Sequence, residues 1–459
     1  MAKTFDAIII GSGQAGPALA GRLTKAGQTV AFIEREHFGG TCVNDGCIPT
    51  KALVASASAA FVARRHGDFG VTIGGPIGVD MKAVKARKDA IVAASVKGVT
   101  EWVKGMPGLA LFWGQARFTG QHSVAVNGEV LEAEKIFINV GGRPLVPDWP
   151  ALQEIPYLTN RSMMGVDFLP EHLVVIGGSY IGLEFAQMYR RFGSRVTVVE
   201  MGPRLISRED EDVSDAVRDI LEREGIDIRV NAKCIGVEKH AGGVAVSAEC
   251  ESGAPKVLGS HVLLAIGRRP NTEDLGLAKA GVATDERGFI TVDDQLRTSV
   301  PGIWAMGDVN GRGAFTHTSW NDYEIVAANL LDGDTRRVPD RIPAYALFID
   351  PPLGRAGMTE REVRASGRKA LIGKMPMTRV GRAKERGETL GFMKVIVAAE
   401  TKKILGAALL GLNGDEIVHS LLDVMYAGAP YTVIQRAVHI HPTVTELIPT
   451  LLGDLQPLT

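Results

Sequence analysis

Cysteine is scarce in this chain, which has only four cysteines among 459 residues. So small a number excludes a secreted scaffold that is held together by disulfides. Cys234 and Cys250 lie in no recognisable motif, and we expect them to be inert thiols that are buried or half-buried. Cys42 and Cys47, by contrast, lie close together in a segment whose composition suggests chemistry.

A surplus of one charge sign is also absent, since 51 lysines and arginines nearly balance 52 aspartates and glutamates. The sequence has no run of basic residues, so nothing in it indicates binding to nucleic acid or to an anionic membrane. No uninterrupted apolar run approaches the roughly 18 residues of a membrane-spanning helix. The N-terminal residues lead directly into an apolar strand without the pattern of a signal peptide. We therefore expect a cytoplasmic protein.

The two clustered cysteines belong to the segment GGTCVNDGCIPTK, which runs from Gly39 to Lys51. Next to a nucleotide motif, such a pair indicates a disulfide that exchanges electrons with a cofactor. The glycines and Thr41 suit a turn that enters a helix, predicted over residues 52–64. Unpaired N–H groups at a helix start stabilise a thiolate, so the pair is predicted to be reactive. Zinc binding is the competing interpretation, but no second Cys/His pair has suitable spacing.

A glycine turn precedes the cysteine segment. Residues 7–10 form a short apolar strand, the turn GSGQAG runs from Gly11 to Gly16, and an alanine-rich helix follows. A second strand over residues 29–33 ends at Glu34. This order of elements is typical of a dinucleotide-binding unit, in which the glycines let a pyrophosphate approach the backbone. Glu34 is placed to bind a ribose diol.

The same unit recurs later in the chain. A strand over residues 173–176 leads into GGSYIG from Gly177 to Gly182, then a helix, then a strand over 196–199 that ends at Glu200. The first glycine and the acid are 23 positions apart in both units, and both units continue to a similar strand and turn, IFINVGGRP and VLLAIGRRP. The length also exceeds one hydrophobic core. We predict two nucleotide-binding domains, one inserted into the other.

The last part of the chain, from about residue 339, carries no nucleotide motif. Its mixture of strand-like and helical segments predicts a separate domain. Near the end, the sequence HIHPTVTE places His441 before Glu446. A histidine held by a carboxylate has a fixed tautomer and greater basicity, which suits moving a proton on and off a thiol. A structural turn is the competing interpretation for a histidine before proline, and we expect His439 to be structural.

With the cysteine pair, two glycine units and the histidine motif in this order, the chain resembles the flavoprotein disulfide reductases. Dihydrolipoamide dehydrogenase, glutathione reductase and mercuric reductase belong to that family. The resemblance implies an α/β fold with two Rossmann-like dinucleotide-binding domains and a C-terminal α+β dimerisation domain. The implied divisions are an FAD domain over 1–149 and 270–338, an NAD(P) domain over 150–269, and an interface domain over 339–459.

The resemblance also implies cofactors and their binding residues. The first unit would bind FAD and the second a nicotinamide dinucleotide. Residues 298–308 match the family's second FAD motif, which would place Asp308 at the ribityl chain. The implied cofactor-binding residues are Gly11, Gly13, Gly16, Glu34, Gly40, Thr41, Lys51, Gly142, Asp308, Gly177, Gly178, Tyr180, Gly182, Glu200 and Gly267.

The same resemblance implies which residues carry out the redox chemistry. Cys47 would be the thiol nearest the flavin, and Cys42 the outer thiol that attacks the substrate. Lys51 and Glu184 match an ion pair beside the reactive flavin nitrogen, where a cation stabilises the anionic reduced ring. Without the motif, both would be read as ordinary helix-surface charges.

His441 and Glu446 match the family's catalytic dyad. In that family the histidine acts on the cysteines of the partner subunit, so the resemblance implies a homodimer whose active site is shared between subunits. A non-catalytic flavoprotein that serves as a redox sensor is an alternative. The presence of the cysteines, the ion pair and the dyad together speaks against it.

Glu200 favours NADH over NADPH, because a carboxylate accepts from the ribose 2′-OH and repels a 2′-phosphate. Gly182 as the third glycine agrees with that preference. Arg195 and Arg204 are near enough to attract a phosphate, so NADPH stays an alternative. Tyr180 resembles the tyrosine that covers the flavin in some relatives and moves aside for the nicotinamide. Packing at a helix start is the equal alternative.

The electron acceptor is the least defined part of the prediction. An intact dyad favours a small-molecule disulfide, because a base is needed to form and quench thiolates. The cysteine segment resembles mercuric reductases at least as closely, yet their C-terminal cysteine pair is missing and Met358 replaces a tyrosine. Reduction of metal ions or of oxidant-derived species is therefore the alternative, and no resident metal is expected.

Overall fold

The computed structural model describes residues 2–249 and 255–458. Cys250 therefore lies outside the described residues. The α-helices are Ala15–Lys25, Gly40–Asn44, Cys47–Arg64, Met81–Lys104, Asn160–Met163, Tyr180–Phe192, Glu211–Arg223, Leu277–Ala280, Thr316–Leu331, Glu360–Ala365, Gly381–Glu385, Gly414–Tyr426, Thr432–Arg436 and Ile448–Leu452. Short 3-10 turns occur at His66–Phe69, Pro150–Gln153, Gly307–Asn310, Val338–Asp340, Met377–Arg379 and Thr445–Leu447.

The chain forms two parallel sheets of five strands, and four of the five strands follow the same order in both sheets. In spatial order, the first contains Ile303–Ala305, Lys135–Ile138, Ala7–Ile10, Val30–Glu34 and Leu109–Trp113. The second contains Tyr157–Thr159, His261–Leu264, His172–Ile176, Arg195–Val199 and Asp227–Arg229. Central strands such as Ala7–Ile10 and His172–Ile176 are buried along their length, as parallel strands covered on both faces must be. The predicted α/β fold with two Rossmann-like units is confirmed.

The second sheet is inserted into the first. Strand Ile303–Ala305 belongs to the first sheet, although it follows all strands of the second sheet along the chain. The two connections between the units pair with each other, because Gly142–Pro144 runs antiparallel to Arg268–Pro270. These strands contain the two similar GRP and RRP segments, so the sequence repeat marks both crossings between the units.

The C-terminal part contains an antiparallel sheet of six strands. In order these are Ala344–Leu347, Leu353–Gly357, Ile404–Leu410, Phe392–Ala398, Ala370–Pro376 and Gln456–Pro457. Helix Gly414–Tyr426 packs across two of its strands. Smaller sheets combine Lys3–Thr4, Glu129–Glu132, Ser123–Val126 and Arg117–Gly120, and also Lys233–His240, Gly243–Glu249 and Lys256–Gly259. The predicted α+β character of this part is confirmed.

Lys394 joins the second unit to the C-terminal sheet. Its side chain is 1% exposed, and its Nζ lies 3.0 Å from Asp210, 2.8 Å from Asp212 and 3.2 Å from Glu360. The three carboxylates are close enough together to resemble a metal site. The Lys394 ammonium lies among them and Lys374 also pairs with Asp212, so the cluster is an ion-pair network between two parts of the fold.

The helix after the cysteine segment begins earlier than predicted. It runs over Cys47–Arg64 rather than 52–64, because Pro49 lies in the first turn, where a helix tolerates proline. Together with the preceding short helix it forms Gly40–Arg64, which is long and apolar enough to cross a membrane by length and composition alone. No such segment was expected from the sequence. Helices inside soluble proteins pass the same test, and this one packs against Tyr180–Phe192.

Cys234 differs from its prediction. Its side chain is exposed, not buried or half-buried, and its backbone has a positive φ of 50°. It lies on strand Lys233–His240 where the pairing register shifts. An irregularity in the strand of this kind turns a side chain away from the sheet.

Candidate active site

A cavity of about 750 Å³ is lined by residues of the two parallel-sheet units and the C-terminal sheet. It brings together many of the predicted residues, namely Gly11, Gly13, Glu34, Gly40, Thr41, Cys42, Cys47, Lys51, Gly142, Tyr180, Glu184 and Asp308. The other predicted residues lie outside its lining, namely Gly16, Gly177, Gly178, Gly182, Glu200, Gly267, His441 and Glu446. The cavity therefore corresponds to the first nucleotide unit together with the redox residues.

The first glycine motif is packed too closely to accept side chains. A Cβ on Gly11 would lie 2.5 Å from the Asn139 carbonyl oxygen, and one on Gly16 would lie 2.4 Å from that of Gly11. Gly13 is equally restricted, with a Cβ only 2.7 Å from Asn139 Oδ1. The backbone consequently forms a bare cradle at the start of helix Ala15–Lys25, as a pyrophosphate requires.

Asn139 holds this cradle, although it was not among the predicted site residues. Its Oδ1 accepts a hydrogen bond from the Gly16 N–H at 3.0 Å. Its Nδ2 donates to the Met306 carbonyl at 2.8 Å. The side chain thus ties the glycine turn to the neighbouring strand connection. Its position in the INVGGRP segment was the available signal.

Glu34 is buried at the end of its strand, where four donors fix its carboxylate. Ser12 donates through its N–H at 2.9 Å and its hydroxyl at 2.6 Å, both to Oε2. The backbone N–H groups of Arg35 and Glu36 donate to Oε1 at 2.8 and 2.7 Å. The acid is therefore held rigidly at the cavity wall, which suits recognition of a ribose diol.

Asp308 also lines the cavity, next to Arg268. Burial raises the pKa of the Asp308 carboxyl, and the guanidinium of Arg268, 3.5 Å away, opposes that rise. Arg268 Nη2 also donates to the Gly142 carbonyl at 2.5 Å. Arg268 was not predicted as a site residue. Two acids and a bare glycine cradle that line the same cavity fit FAD, the cofactor that the family resemblance implies.

The two redox cysteines are in contact and have unequal acidity. Cys47 is the first residue of its helix, and its Sγ lies 3.0 Å from the Thr316 hydroxyl. A hydrogen bond from Cys42, with help from Thr316 and Lys51, lowers the pKa of Cys47 to about 6. The same hydrogen bond to Cys47, with burial, raises the pKa of Cys42. In the dithiol state Cys47 is therefore the thiolate and Cys42 keeps its proton.

Lys51 and Glu184 form an ion pair on the cavity wall. The Nζ and Oε2 atoms are 2.6 Å apart. The other carboxylate oxygen accepts from the Phe348 N–H at 3.0 Å, and Lys51 Nζ lies 4.3 Å from the centre of the Phe348 ring. Both ends of the pair are thus fixed by the C-terminal part of the chain, which sequence spacing does not reveal.

Tyr180 opens helix Tyr180–Phe192 and belongs to an aromatic cluster at the cavity. Its ring packs edge-on against Tyr345 at 5.5 Å and against Phe315 at 6.3 Å. Its hydroxyl donates to Glu209 Oε1 at 3.3 Å. Burial and the nearby Glu209 carboxylate raise the pKa of Tyr180, so the hydroxyl stays protonated.

The second glycine motif repeats the close packing of the first. A Cβ on Gly182 would lie 2.0 Å from the Gly177 carbonyl, and one on Gly178 would lie 2.6 Å from Leu205. Glu200 accepts from the N–H groups of Gly178 at 2.6 Å and Gly202 at 2.7 Å. Gly267 precedes the second crossing strand, and its carbonyl accepts from Leu145. This unit has the same form as the first, but its glycines and Glu200 do not line the cavity.

His441 and Glu446 form a dyad at the surface. The Nδ1 atom of His441 lies 2.9 Å from Glu446 Oε2 and 3.1 Å from Oε1. The His441 side chain is 81% exposed, and the adjacent Val438 and Ile440 are also exposed. Because Nδ1 is occupied, exchange of a proton with another group falls to Nε2. The dyad geometry is present, but not at the cavity of its own chain.

Known proteins match the chain along nearly its whole length. Residues 5–322 match the family described as pyridine nucleotide-disulphide oxidoreductase, and residues 343–452 match the dimerisation domain of that family. The probable pyridine nucleotide-disulfide oxidoreductase RclA of Escherichia coli (strain K12) is 38% identical, covering 98% of this chain and 99% of the relative.

Relatives with other described activities are almost as similar. A dihydrolipoyl dehydrogenase of Thermus scotoductus is 34% identical over 97% of this chain and 96% of the relative. A mercuric reductase of Streptomyces lividans is 33% identical, covering 97% of this chain and 94% of the relative.

Solved structures support the same relationship. That of the HOCl-induced flavoprotein disulfide reductase RclA from Escherichia coli has a TM-score of 0.89 and 36% identity, covering 98% of this chain and 99% of that one. A Cu(II) complex of the same protein matches equally well. The chain therefore belongs to the pyridine nucleotide-disulphide oxidoreductase family, and it is an enzyme of this class that uses FAD and a pyridine nucleotide and dimerises through its C-terminal domain.

Proposed function

We propose that this enzyme uses electrons from NADH to reduce a small disulfide through the Cys42–Cys47 pair. The observation that carries the proposal is the position of Cys42 and Cys47 beside Thr316 and the Lys51–Glu184 ion pair in the cavity that fits FAD. When bound, FAD would carry two electrons from the nicotinamide to the cysteine pair. Glu34, the glycine cradle and Asp308 are the residues that would hold it.

The cysteine chemistry follows from their acidity. Two electrons and one proton open the Cys42–Cys47 disulfide to a Cys42 thiol and a Cys47 thiolate, and Cys42, Thr316 and Lys51 stabilise that thiolate. Once deprotonated, Cys42 attacks the substrate disulfide, forms a mixed disulfide and expels the first substrate thiolate. Cys47 then attacks Cys42 sulfur, which expels the second thiolate and restores the disulfide.

Cys42 needs an external base because its pKa is raised. We assign that role to the partner subunit's His441, with the dyad carboxylate fixing the histidine tautomer. The exposed dyad, which does not line the cavity of its own chain, supports this assignment. The active site would then be shared between the two subunits.

NADH is the proposed electron donor. Glu200 accepts two backbone hydrogen bonds and stays at the end of its strand, where it would meet the ribose 2′-OH. Both arginines that raised the alternative of NADPH have other partners. Arg195 donates to His172 at 2.8 Å, and Arg204 pairs with Asp215. The Arg204 charge is therefore already paired with an acid, and the Arg195 side chain is held on His172.

Reduction of metal ions or oxidant-derived species is the second candidate. It is favoured by the similarity to a protein described as HOCl-induced and solved as a Cu(II) complex. The same dithiol would supply two electrons to such an acceptor. A cytoplasmic location and the domain boundaries 1–149 with 270–338, 150–269 and 339–459 stay predictions.

The test is anaerobic oxidation of NADH by the purified holoenzyme with lipoamide, glutathione disulfide, a chloramine or Cu(II) as acceptor. We expect Cys42→Ser to keep FAD and to lose disulfide turnover, whereas the exposed Cys234→Ser keeps wild-type rates. Disulfide turnover by Cys42→Ser would contradict the assignment. Fast flavin reduction with turnover of only the chloramine or Cu(II) would select the second candidate.

A further inference from the structure

Glu209 and Arg355 form a buried pair of opposite charges that the function proposed above does not use. Their side chains are 0% and 1% exposed, and Arg355 Nε lies 3.8 Å from Glu209 Oε2. That distance is too long for a hydrogen bond. Arg355 also lines the active-site cavity, so the pair lies at the site and not in a remote part of the core.

The pair is incompletely satisfied. Within residues 2–249 and 255–458, Glu209 Oε2 and Arg355 Nε and Nη2 are buried without a hydrogen-bond partner. The Arg355 Nη1 donates to the Ala407 carbonyl at 3.3 Å. Buried charges without full hydrogen bonding are costly to the folded state. Hydrophobic side chains would fill this space at less cost, which points to a role for the charges.

Glu209 connects Tyr180 to the C-terminal sheet. Its Oε1 accepts from the Tyr345 hydroxyl at 2.6 Å and from the Tyr180 hydroxyl at 3.3 Å. Tyr345 and Arg355 are direct neighbours across two antiparallel strands. The carboxylate is thus anchored to the C-terminal sheet by a short hydrogen bond, and it holds Tyr180 by a longer one.

We propose that Glu209 and Arg355 are positioning residues that hold Tyr180 over the cavity and so set the affinity for the nicotinamide nucleotide. The proposal rests on the proposed function, because it takes Tyr180 as the cover of the nicotinamide side. Tyr180 leaves by breaking the longer hydrogen bond, while Tyr345 and the Arg355 charge keep Glu209 in place. The apparent affinity equals the affinity of the open form multiplied by the fraction of molecules in which Tyr180 is open.

A double-mutant cycle on the holoenzyme tests this role. The dissociation constant of NAD⁺ is measured from the change in flavin absorbance for wild type, Tyr180→Phe, Glu209→Gln and the double variant. We expect each single variant to bind NAD⁺ about five-fold more tightly, because one hydrogen bond to a carboxylate no longer favours the closed position. The double variant should bind no more tightly than either single variant, since both remove the same interaction.

Tyr189→Phe is the matched control, because it removes a buried hydroxyl from the same helix away from the cavity. It should leave the dissociation constant unchanged. If the Glu209→Gln variant does not fold, the variant Glu209→Gln/Arg355→Met takes its place in the cycle, because it removes both charges at similar volume. A shift in unfolding temperature without a change in NAD⁺ affinity would overturn the proposal, and so would effects that multiply in the double variant.

The proposed function can fail separately. If wild-type flavin is not reduced by NADH, the function is wrong whatever the variants do. If wild-type flavin is reduced but Tyr180→Phe and Glu209→Gln bind NAD⁺ as wild type does, only the positioning role is wrong.

Discussion

At the scale of single residues, the acidity of Cys47 depends on groups that are distant in sequence. Cys42 is close along the chain, but the Thr316 hydroxyl comes from a helix of the first unit's last segment. Thr316 has no motif of its own, so the sequence analysis gave it no role. A hydrogen bond to the thiolate stabilises the charged form and lowers the thiol pKa.

We expect Thr316→Ala to raise the pKa of Cys47 by about half a unit to one unit, since one hydrogen bond to the thiolate is lost. The measurement is the pH titration of charge-transfer absorbance in the reduced holoenzyme. In wild type this signal should be present above pH 6 and disappear as the pH falls through about 6. Thr316→Ser keeps the donor and should titrate like wild type. Ser56→Ala, on the cysteine helix, is a control, and an equal shift there would contradict the role.

At the scale of elements, each glycine turn fixes how closely a helix approaches its strand. A Cβ on Gly182 would meet the Gly177 carbonyl at 2.0 Å, which is backbone that cannot move aside. A Cβ on Gly98 in helix Met81–Lys104 would meet nothing within 4 Å. Gly182 therefore has no room for a side chain, whereas Gly98 has room for one.

Gly182→Ala should lower the free energy of unfolding by about 1–3 kcal/mol, as overpacking does, and weaken NADH binding. Gly98→Ala should raise it by about 0.5–1 kcal/mol, because alanine loses less backbone entropy in a helix. Urea unfolding of the two variants beside wild type gives both values. Equal stability of both variants would show that the helix tolerates a shift at Gly182.

At the scale of the whole molecule, Lys394 couples the second unit to the C-terminal sheet. Burial raises the pKa values of Asp210 and Asp212, but hydrogen bonds from Lys394 and neighbouring groups outweigh it, so both values are lowered. Groups with depressed folded pKa values stabilise the fold above their ordinary value near 3.8, and that contribution is lost as the pH falls through the folded values.

Lys394→Met should lower the free energy of unfolding by about 3–5 kcal/mol at pH 7, because buried carboxylates lose their counter-charge. The loss should shrink below pH 4, where the carboxylates of the variant take up protons. Lys374→Met is the control. Lys374 pairs with the same Asp212 but is 45% exposed, so its loss should cost less than about 1 kcal/mol. Similar losses for both lysines would contradict the coupling.

A shared active site has a distinct signature in mixed dimers. Cys42→Ser and His441→Gln homodimers should both be inactive toward disulfides. In a purified hybrid dimer with one subunit of each variant, one active site would contain both substitutions and the other would contain neither. About half the wild-type activity should therefore return. If the histidine acted within its own chain, each site would keep one lesion, and the hybrid would stay inactive.

Much of the fold was predictable because the dinucleotide unit is local. A strand, a glycine turn, a helix and an acid at fixed spacing specify one geometry, and their repetition predicted both parallel sheets and the insertion. The helix start at Cys47 was placed five residues late, because the chain continues helical through Pro49. The exposure of Cys234 depends on a strand irregularity that leaves no signal in the pattern.

The sequence by itself determined the family, the cofactor motifs and the identity of the cysteine pair, since these depend on residues close along the chain. Only the tertiary structure decided which distant groups act on them. These groups come from separate segments of the chain. Asn139 contacts the glycine turn, Arg268 lies beside Asp308, Thr316 contacts Cys47, and Glu209 with Arg355 lies at Tyr180. Their roles arise from distances of a few ångströms across the packed domains, and spacing along the chain carries no information about such distances.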